Sequence, residues 1–511
     1  MTAVTAAPAR PRAPHAASAA PLAAARLLRI ELRRNAMPWI LPLIAALFWF
    51  DSYRPSTSQP PLYLLRTFWN MGQGHTIIDF GPFVAGVAAW MGSRDGRRHT
   101  RDLVTAAARA CYAAQLVTWA ATAIWAVGAY LVFVGVMFAV YAHQGVAGEP
   151  PWWWVAVGAT AVAAFSAAGF AVGAFFGSRF AAPLAAFAGF FAMAESSQTG
   201  FRDDSGWALI LPTNSNGNFQ QDSGIFYHYL PDLPIARLML FAGITVAALG
   251  LIGLPARAGS SWLRWTAAAV TVAGVAAAGT AVELASTARL GPEGIVIPVL
   301  HDAASDQPIR YAPVCGRAAG VPVCLNPAYQ RYLPEVTAAL APALREVSGL
   351  PGAPVRVSQV GALYDNGDGE RGQAMTISGH PPVLSLPLGA LGTLPGPDGD
   401  HGRPGATKAF DQTLGLMFAR AFVGAGNGAG TPAQQAVQAA LMQGMGIPMA
   451  AQPSVLNLGP PSWAPASKSA SGPVYAAARR LASLGPAARQ AWLAAHLTAL
   501  RSGQLTLGQL P

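Results

Sequence analysis

Four long apolar runs constrain the fold of this chain more strongly than any other feature. They cover residues 113–141, 153–177, 235–254 and 265–285. About 20 consecutive apolar residues allow a helix to cross the hydrocarbon core of a bilayer. Only 11% of the residues are charged, against roughly 25% in an ordinary soluble domain. The sequence therefore predicts a multi-pass α-helical membrane protein.

Three weaker apolar runs bring the expected number of transmembrane helices to about seven. Residues 36–50 form a short run whose Trp39 and Trp49 suit the membrane interfaces. Residues 77–92 contain Asp79, and residues 181–194 lead into Glu195. Since each run is flanked by polar segments, we expect each of the three to cross the membrane.

The distribution of arginine predicts a cytoplasmic N-terminus, because Lys and Arg are enriched in cytoplasmic segments of membrane proteins. With seven crossings, the cytoplasmic segments hold Arg10, Arg12, Arg26, Arg29, Arg33, Arg34, Arg94, Arg97, Arg98, Arg101, Arg109, Arg179, Arg257 and Arg264. The outside segments among the spans hold only Arg54, Arg66, Arg202 and Arg237. This asymmetry is lost if one crossing is removed, so it supports the weaker runs as well.

Residues 1–25 and the stretch LLRIELRRN at 27–35 precede the first run. The former are Ala, Pro and Arg with few large apolar side chains, which predicts a disordered cytoplasmic tail. The latter, as a helix, places Arg26, Arg29 and Arg33 on one side. It is either an amphipathic helix at the cytoplasmic interface or a basic flank of the first span. We predict a transmembrane domain over residues 26–287.

Residues 288–511 then form a soluble extracytoplasmic domain of the α/β or α+β class. The segments 294–300, 353–360 and 373–379 are rich in β-branched residues between turn residues, which predicts strands. Thr431 and Gln434 form a capping box around Pro432, which predicts a helix to about residue 445. A further helix is expected from Pro486 to just before Gly503.

Two of the three cysteines, Cys315 and Cys324, lie close together in this domain. Outside the cell such a pair persists as a disulfide, which we expect here. Two free thiols are the main alternative. A zinc site would need two more ligands, and only His301 is near in sequence. We expect no metal and no cofactor.

Three acidic residues lie in or at the ends of the apolar runs: Asp79, Glu195 and Glu283. Ionisable side chains within a membrane are costly and often functional. All three fall near the expected outer ends of their spans, where water is close. A structural role is therefore the favoured interpretation and a functional one the alternative.

Sequence motifs give no indication of an enzyme. The chain contains no G-x-x-x-x-G-K-[ST] phosphate-binding loop and no H-E-x-x-H zinc-protease motif. No G-x-S-x-G nucleophile motif follows a strand. The formal charge is +10, but the basic residues cluster beside apolar runs and not in a nucleic-acid-reading fold. We therefore expect neither catalysis nor nucleic-acid binding.

The densest cluster of charge lies in MGSRDGRRHTRDLVTAAARACY, residues 91–112, between the second and third runs. Together with the basic stretch before the first run, the near-hairpin at Gly177, and the long loop at 196–234, it carries a resemblance. Over residues 25–255 the order of spans and loops resembles the permease subunit of ABC-2-type ABC transporters, as found in actinobacteria. The seventh span and the C-terminal domain depart from the six-span pattern of that family.

The resemblance implies a membrane permease, with an exporter favoured, that works as a homodimer or heterodimer with a separate ATPase subunit in the bacterial plasma membrane. It also implies that a cytoplasmic helix between spans two and three docks on the ATPase. In this chain the docking segment is 93–109, with the charged residues Arg94, Asp95, Arg97, Arg98, Arg101 and Asp102. The alternative is that these arginines only fix the topology.

Two other classes of function remain open. One is a membrane-anchored receptor or scaffold whose working part is residues 288–511. The other is a membrane-bound hydrolase with a degenerate outer domain, which would require titratable side chains to converge in one cleft of that domain.

Overall fold

The computed structural model describes residues 16–52, 73–98, 111–143, 147–148, 150–202, 210, 219–220, 225–254, 261–291, 294–361, 363–364, 375–388, 406–426, 430–448 and 472–511. Nine helices lie in the N-terminal half: α1 (Ala16–Arg34), α2 (Met37–Ser52), α3 (Gln73–Gly92), α4 (Arg94–Arg97), α5 (Cys111–His143), α6 (Trp152–Phe176), α7 (Ala181–Arg202), α8 (Asp232–Gly253) and α9 (Ser261–Ser286) within these residues. A mixed sheet and further helices follow in the C-terminal half.

Four of these helices are long and apolar enough to cross a membrane. They are the segments Tyr112–His143, Trp152–Phe176, Asp232–Gly253 and Trp262–Ser286. At 1.5 Å per residue, even the 22 residues of the shortest span about 33 Å, which matches a hydrocarbon core of about 30 Å. The four clearest apolar runs of the sequence are therefore confirmed as candidate membrane helices.

The three weaker runs are also helical, but their apolar parts are shorter. These parts are Met37–Leu47, Phe80–Gly92 and Ala181–Glu195. Each belongs to a longer helix, namely α2, α3 and α7. The prediction of helices at these positions is confirmed, whereas the count of seven crossings stays a prediction.

Side-chain and backbone caps set the breaks between these helices. Asn35 separates α1 from α2, and its Oδ1 accepts a hydrogen bond from the amide of Met37 at 2.9 Å. Gly177 ends α6 in the left-handed conformation with φ 58°, and its amide donates to the carbonyl of Gly173. That conformation favours glycine. It turns the chain within a few residues into α7, as the near-hairpin of the sequence predicts.

Small residues let α3 and α6 approach each other closely. A Cβ on Gly169 would lie 2.7 Å from the Cα of Ala85, and one on Gly173 would lie 2.8 Å from the Cα of Ala89. Glycines four residues apart are a common contact surface between membrane helices, because packing and not hydrophobicity drives association in lipid. The pair α8 and α9 is built similarly, since a Cβ on Gly243 would lie 2.7 Å from the carbonyl oxygen of Gly274.

The C-terminal domain contains a five-stranded mixed sheet. Its strands are β4 (Val314–Ala318), β5 (Val321–Leu325), β6 (Arg356–Gln359), β8 (Thr376–Ser378) and β9 (Val383–Leu386), in the order β4-β5-β6-β9-β8. The three central strands are parallel, and each edge strand is antiparallel to its neighbour. The helix α10 (Leu333–Glu346) connects β5 to β6, which is how parallel neighbours are joined.

Two short pairings lie outside this sheet. The strand β2 (Arg289–Gly291) pairs with β3 (Gly294–Val296), directly after α9. The strand β1 (Phe219–Gln220) pairs with β7 (Leu363–Tyr364) and so links the loop before α8 to the C-terminal domain. Ile225 and Phe226 from the same loop are buried in the core of that domain. The domain therefore packs against the loop that leads into α8.

Four further helices of the domain lie within the described residues: α11 (Ala406–Val423), α12 (Pro432–Gly444), α13 (Gly472–Ser483) and α14 (Pro486–Arg501). The capping box of Thr431 and Gln434 is confirmed, with Pro432 at the first helical position. Gly503 follows α14 with φ 69°, as expected for a residue that ends a helix. Parallel strands with a crossover helix, followed by a helical part, fit the α/β class.

Two boundaries of the sequence analysis are wrong. The helix α1 begins at Ala16 and not near residue 26, so the last ten residues of the expected disordered tail are helical; residues 1–15 lie outside the described residues. The expected strand at 294–300 ends at Val296. The amide of Ile297 instead donates to the carboxylate of Asp232 at 2.9 Å, so a tertiary contact replaces the strand.

The disulfide is confirmed. Cys315 and Cys324 are direct partners across the β4–β5 hairpin, with their Cα atoms 4.1 Å apart. Their sulfur atoms are bonded to each other, which removes both from the zinc alternative. In the described residues no group of three or more His, Cys, Asp and Glu side chains is arranged to hold a metal ion.

Candidate functional site

The first half of the predicted docking segment forms a compact turn directly after α3. We call residues 93–98 the arginine turn; it contains the single helical turn α4. Ser93 is fully buried, and its hydroxyl donates to the carbonyl of Trp90 at 3.1 Å. The amide of Arg97 donates to the carbonyl of Ser93 at 3.0 Å. The turn is therefore a continuation of α3 and not a separate loop.

Arg94 connects the arginine turn to α1. Its Nη1 and Nη2 atoms donate to the two carboxylate oxygens of Glu31 at 2.9 and 3.0 Å. Glu31 is buried at 7% exposure. The hydrogen bond to Glu31 raises the pKa of Arg94 even though burial acts in the opposite direction. A paired, bidentate arrangement of this kind is among the stronger polar contacts in proteins.

The end of α1 is held in turn by α5. The side-chain amide of Asn35 donates to the hydroxyl of Thr122 at 2.9 Å, and both side chains are buried. The indole N–H of Trp125 donates to the carbonyl of Leu32, also at 2.9 Å. A displacement of the arginine turn is therefore resisted by α1, and α1 is fastened to the long helix α5.

A second contact fixes the arginine turn to the end of α6. A Cβ on Gly96 would lie 2.6 Å from the Cα of Gly177. Real Cβ atoms do not approach backbone that closely, so glycine at 96 permits the contact. The arginine turn thus touches α6 where its helix ends, and Arg94 reaches α1 on another side.

The next two arginines are oriented differently. The guanidinium carbon of Arg97 lies 3.4 Å from the ring centre of Trp90, and its Nη2 donates to the Trp90 carbonyl at 2.8 Å. Burial, followed by repulsion from Arg98 and Arg94, lowers the pKa of Arg97. Arg98 is exposed. Within the part of the chain that the structure describes, neither residue forms an ion pair.

The structure brings together only part of the predicted docking set. Arg94 is paired inside the chain, and Asp95 lies 3.9 Å from the Nε of Arg94. Arg97 and Arg98 follow Arg94 and its ion pair with Glu31 on the arginine turn. Arg101 and Asp102, like residues 99–110 in general, lie outside the described residues. Glu31 and Trp90 belong to the site but carry no motif by which a single sequence would reveal them, and the sequence indicated Gly177 only as part of the near-hairpin.

The structure describes the side chains of two of the three acidic residues at the ends of the apolar runs. Glu195 and Glu283 are exposed side chains on α7 and α9. The carbonyl of Glu283 accepts a hydrogen bond from Ser286 at 2.6 Å. Asp79 lies within α3, and its side chain is outside the described residues.

A different acidic residue, Asp232, forms a second cluster that sequence reasoning missed. Asp232 is the first residue of α8 and is completely buried. Its Oδ2 lies 3.1 Å from Nδ1 of His301, and Nε2 of His301 lies 2.8 Å from Oδ1 of Asp306. The sequence indicated His301 only as a neighbour of the cysteines. Because 69 residues separate His301 from Asp232, nothing local predicts their contact.

The comparisons with known proteins identify no relative. No family model, no curated protein and no solved structure matches the chain. The resemblance to ABC-2-type permeases therefore rests on the order of spans and loops in the sequence.

Proposed function

We propose that this chain is the permease subunit of an ABC transporter, driven by a separate ATPase that docks on the arginine turn. The observation that carries the proposal is the double attachment of this turn. It is clamped to α1 through Arg94 and Glu31, and it touches the end of α6 through Gly96 and Gly177. A force on the turn would therefore reach two different helices.

The division of labour among the arginines supports the same proposal. Arg94 is used within the chain, whereas Arg98 is exposed and Arg97 lies over Trp90 at the edge of the turn. Guanidinium groups form charge-assisted hydrogen bonds to carboxylates, often with two bonds at once. Acidic side chains of an ATPase subunit would be suitable partners for Arg97 and Arg98.

The proposed topology has a cytoplasmic N-terminus and seven crossings, with residues 288–511 outside. It is supported by the arginine asymmetry and by the disulfide, since disulfides persist outside the cytosol. On this topology the arginine turn faces the cytoplasm, where an ATPase would be found. The proposal includes export as the direction of transport and a dimer of permease subunits as the working unit.

Co-purification in detergent from the native host, with the ATPase subunit detected by its ATP hydrolysis, tests the docking step. Arg97→Ala with Arg98→Ala should reduce the recovered ATPase subunit by roughly tenfold, since two charge-assisted contacts of about 1 kcal/mol or less each are removed. Arg33→Ala is the matched control, because Arg33 is an exposed arginine on α1 that leaves the turn intact. Equal recovery with both variants would contradict docking at this turn.

A second variant separates docking from the transmission of motion. Glu31→Gln keeps the shape of the side chain but removes the charge that pairs with Arg94. We expect the ATPase still to co-purify, while its ATP hydrolysis is less strongly stimulated by the permease. Loss of binding, or unchanged stimulation, would argue against the clamp as the transmitting contact.

Cysteine labelling of intact cells tests the topology. With native Cys111 replaced by Ser, a single cysteine at position 98 should resist a membrane-impermeant maleimide, and a cysteine at exposed position 331 should react. Labelling at position 98 from outside would overturn the proposed orientation. It would leave the helical fold itself untouched.

A further inference from the structure

We propose that His301 is a proton-operated clamp, which in its protonated state fastens the turn Ala303–Asp306 to the buried start of α8. The clamp is formed by three side chains from two separate parts of the chain: Asp232, His301 and Asp306. It goes beyond the proposed transport function and does not depend on an ATPase partner. Under the proposed topology it faces the external medium.

The geometry of the cluster is that of a protonated ring between two carboxylates. Both ring nitrogens of His301 face carboxylate oxygens, Nδ1 at 3.1 Å from Asp232 and Nε2 at 2.8 Å from Asp306. A neutral imidazole carries one N–H and one lone pair, so it can donate to only one of the two carboxylates. The lone pair of its other nitrogen would then point at a lone pair of the facing carboxylate oxygen, and the two would repel each other. Between two ionised carboxylates, only the imidazolium form satisfies both contacts.

The two carboxylates differ in their access to water, and this decides which contact is released. The side chain of Asp232 is 0% exposed, whereas that of Asp306 is 42% exposed. The Oδ1 atom of Asp232 is buried without a hydrogen-bond partner in the described residues, so this carboxylate has no solvent to replace His301. The carboxylate of Asp306, by contrast, can form hydrogen bonds to solvent. Deprotonation therefore keeps the contact to Asp232 and frees Asp306.

Asp306 lies on a segment that connects to the C-terminal domain. It ends the short 3₁₀ turn Ala303–Asp306, which Asp302 caps by accepting the amide of Ala304 at 3.0 Å. A few residues later the amide of Ile309 donates to the carbonyl of Phe226 at 2.8 Å, and Tyr311 packs edge-on against the Phe226 ring. Release of Asp306 would loosen this strap, residues 302–311, where it crosses the loop leading into α8.

The charged groups that act on His301 explain the direction of the pH response. Burial opposes the imidazolium, but the hydrogen bond and charge of Asp306, together with the charge and hydrogen bond of Asp232, outweigh it and raise the pKa of His301 above 6.5. Asp232 comes from α8 and Asp306 from the turn; Asp302 on that turn is engaged with Ala304, and His228 on the neighbouring loop is exposed. A raised pKa means that the clamp is complete below pH 6.5 and is lost as the pH rises through the shifted value.

Hydrogen exchange of the full-length protein in lipid nanodiscs tests the proposal. After correction for the intrinsic exchange rate, amide protection in residues 302–311 should fall by about 2- to 10-fold between pH 5.5 and pH 8.5, the range expected for loss of one partly exposed charged contact. His301→Gln should make the protection of this segment independent of pH. His228→Gln removes an exposed histidine of the adjacent loop and should leave the wild-type response intact.

Asp306→Asn keeps the proposal testable if His301→Gln fails to fold, because Asp306 is partly exposed and its replacement leaves no buried charge behind. An amide can accept from the charged ring and donate to the neutral one, so Asp306→Asn should remove most of the pH response of this segment. The proposal is overturned by a wild-type protection that does not change with pH, by an Asp306→Asn response as large as that of the wild type, or by loss of the response in His228→Gln. None of these outcomes bears on docking at the arginine turn.

Discussion

Substitution of Gly173 by Ala should weaken the packing of α3 against α6. The added Cβ would lie 2.8 Å from the Cα of Ala89 and closer still to its carbonyl oxygen. These are backbone atoms, which cannot rotate away as a flexible side chain could. The two helices must therefore separate by roughly 1 Å at this point, and a gap of that size forfeits a quarter to a half of each neighbouring contact.

The expected cost follows from two opposing effects. Overpacking of a close-packed contact destabilises a protein by about 1–3 kcal/mol, while Gly→Ala within a helix returns about 1 kcal/mol of helix propensity. We expect a net loss of about 0–2 kcal/mol in the free energy of unfolding. Because Gly169 and Gly92 touch the same pair of helices, separation at Gly173 also loosens their contacts, which favours the upper end of this range.

Gly128→Ala on α5 is the matched control. It also replaces a helical glycine in an apolar helix, but a Cβ at this position has no heavy atom within 4 Å. We expect a change between zero and about 1 kcal/mol of stabilisation, from helix propensity alone. Unfolding of the full-length protein in mixed micelles of increasing dodecyl sulfate content, followed by circular dichroism, measures both variants.

Equal unfolding midpoints for Gly173→Ala and Gly128→Ala would refute this reasoning. Equal stability would mean that α3 and α6 do not approach as closely as the structure shows, or that they can separate without loss. A lower midpoint for Gly128→Ala would contradict the assignment of its surroundings as open space. A selective loss for Gly173→Ala would support glycine-mediated packing as the main contact between these two helices.

Three further predictions concern the stability of the C-terminal domain, followed as loss of its protected amides in hydrogen exchange of the full chain. Arg489→Met should lower the free energy of unfolding by about 2–4 kcal/mol. The carboxylate of Glu346, only 13% exposed, would lose its partner at 2.6 Å. An effect below about 1 kcal/mol would contradict this. Replacement of both Cys315 and Cys324 by Ser should cost roughly 2–3 kcal/mol by the chain-entropy estimate for a short loop, and dithiothreitol should destabilise the wild type but not that variant. Thr431→Ala should cost about 1 kcal/mol by loss of the capping box, whereas Thr337→Ala on α10, whose exposed hydroxyl donates to a helix carbonyl, should change little.

Local sequence signals determined a substantial part of the fold. The four long apolar runs became the four candidate membrane helices, because a helix of that length and composition satisfies its own backbone hydrogen bonds. The cap at Thr431 and the stop at Gly503 were predictable for a similar reason, since each involves residues only a few positions apart. The disulfide also belongs to this group, because only eight residues separate Cys315 from Cys324.

Contacts between distant residues were decided by the tertiary structure alone. The sequence indicated Arg94 only as one of several basic residues of a docking loop. Its guanidinium pairs with Glu31, which lies 63 positions away in the chain. Likewise, the apolar segment at 294–300 predicted a longer strand. In the structure the amide of Ile297 donates instead to the buried carboxylate of Asp232. A buried charge must find its partners wherever the fold brings them. Such pairings depend on how the helices pack, and hydropathy along one chain carries no information about that packing.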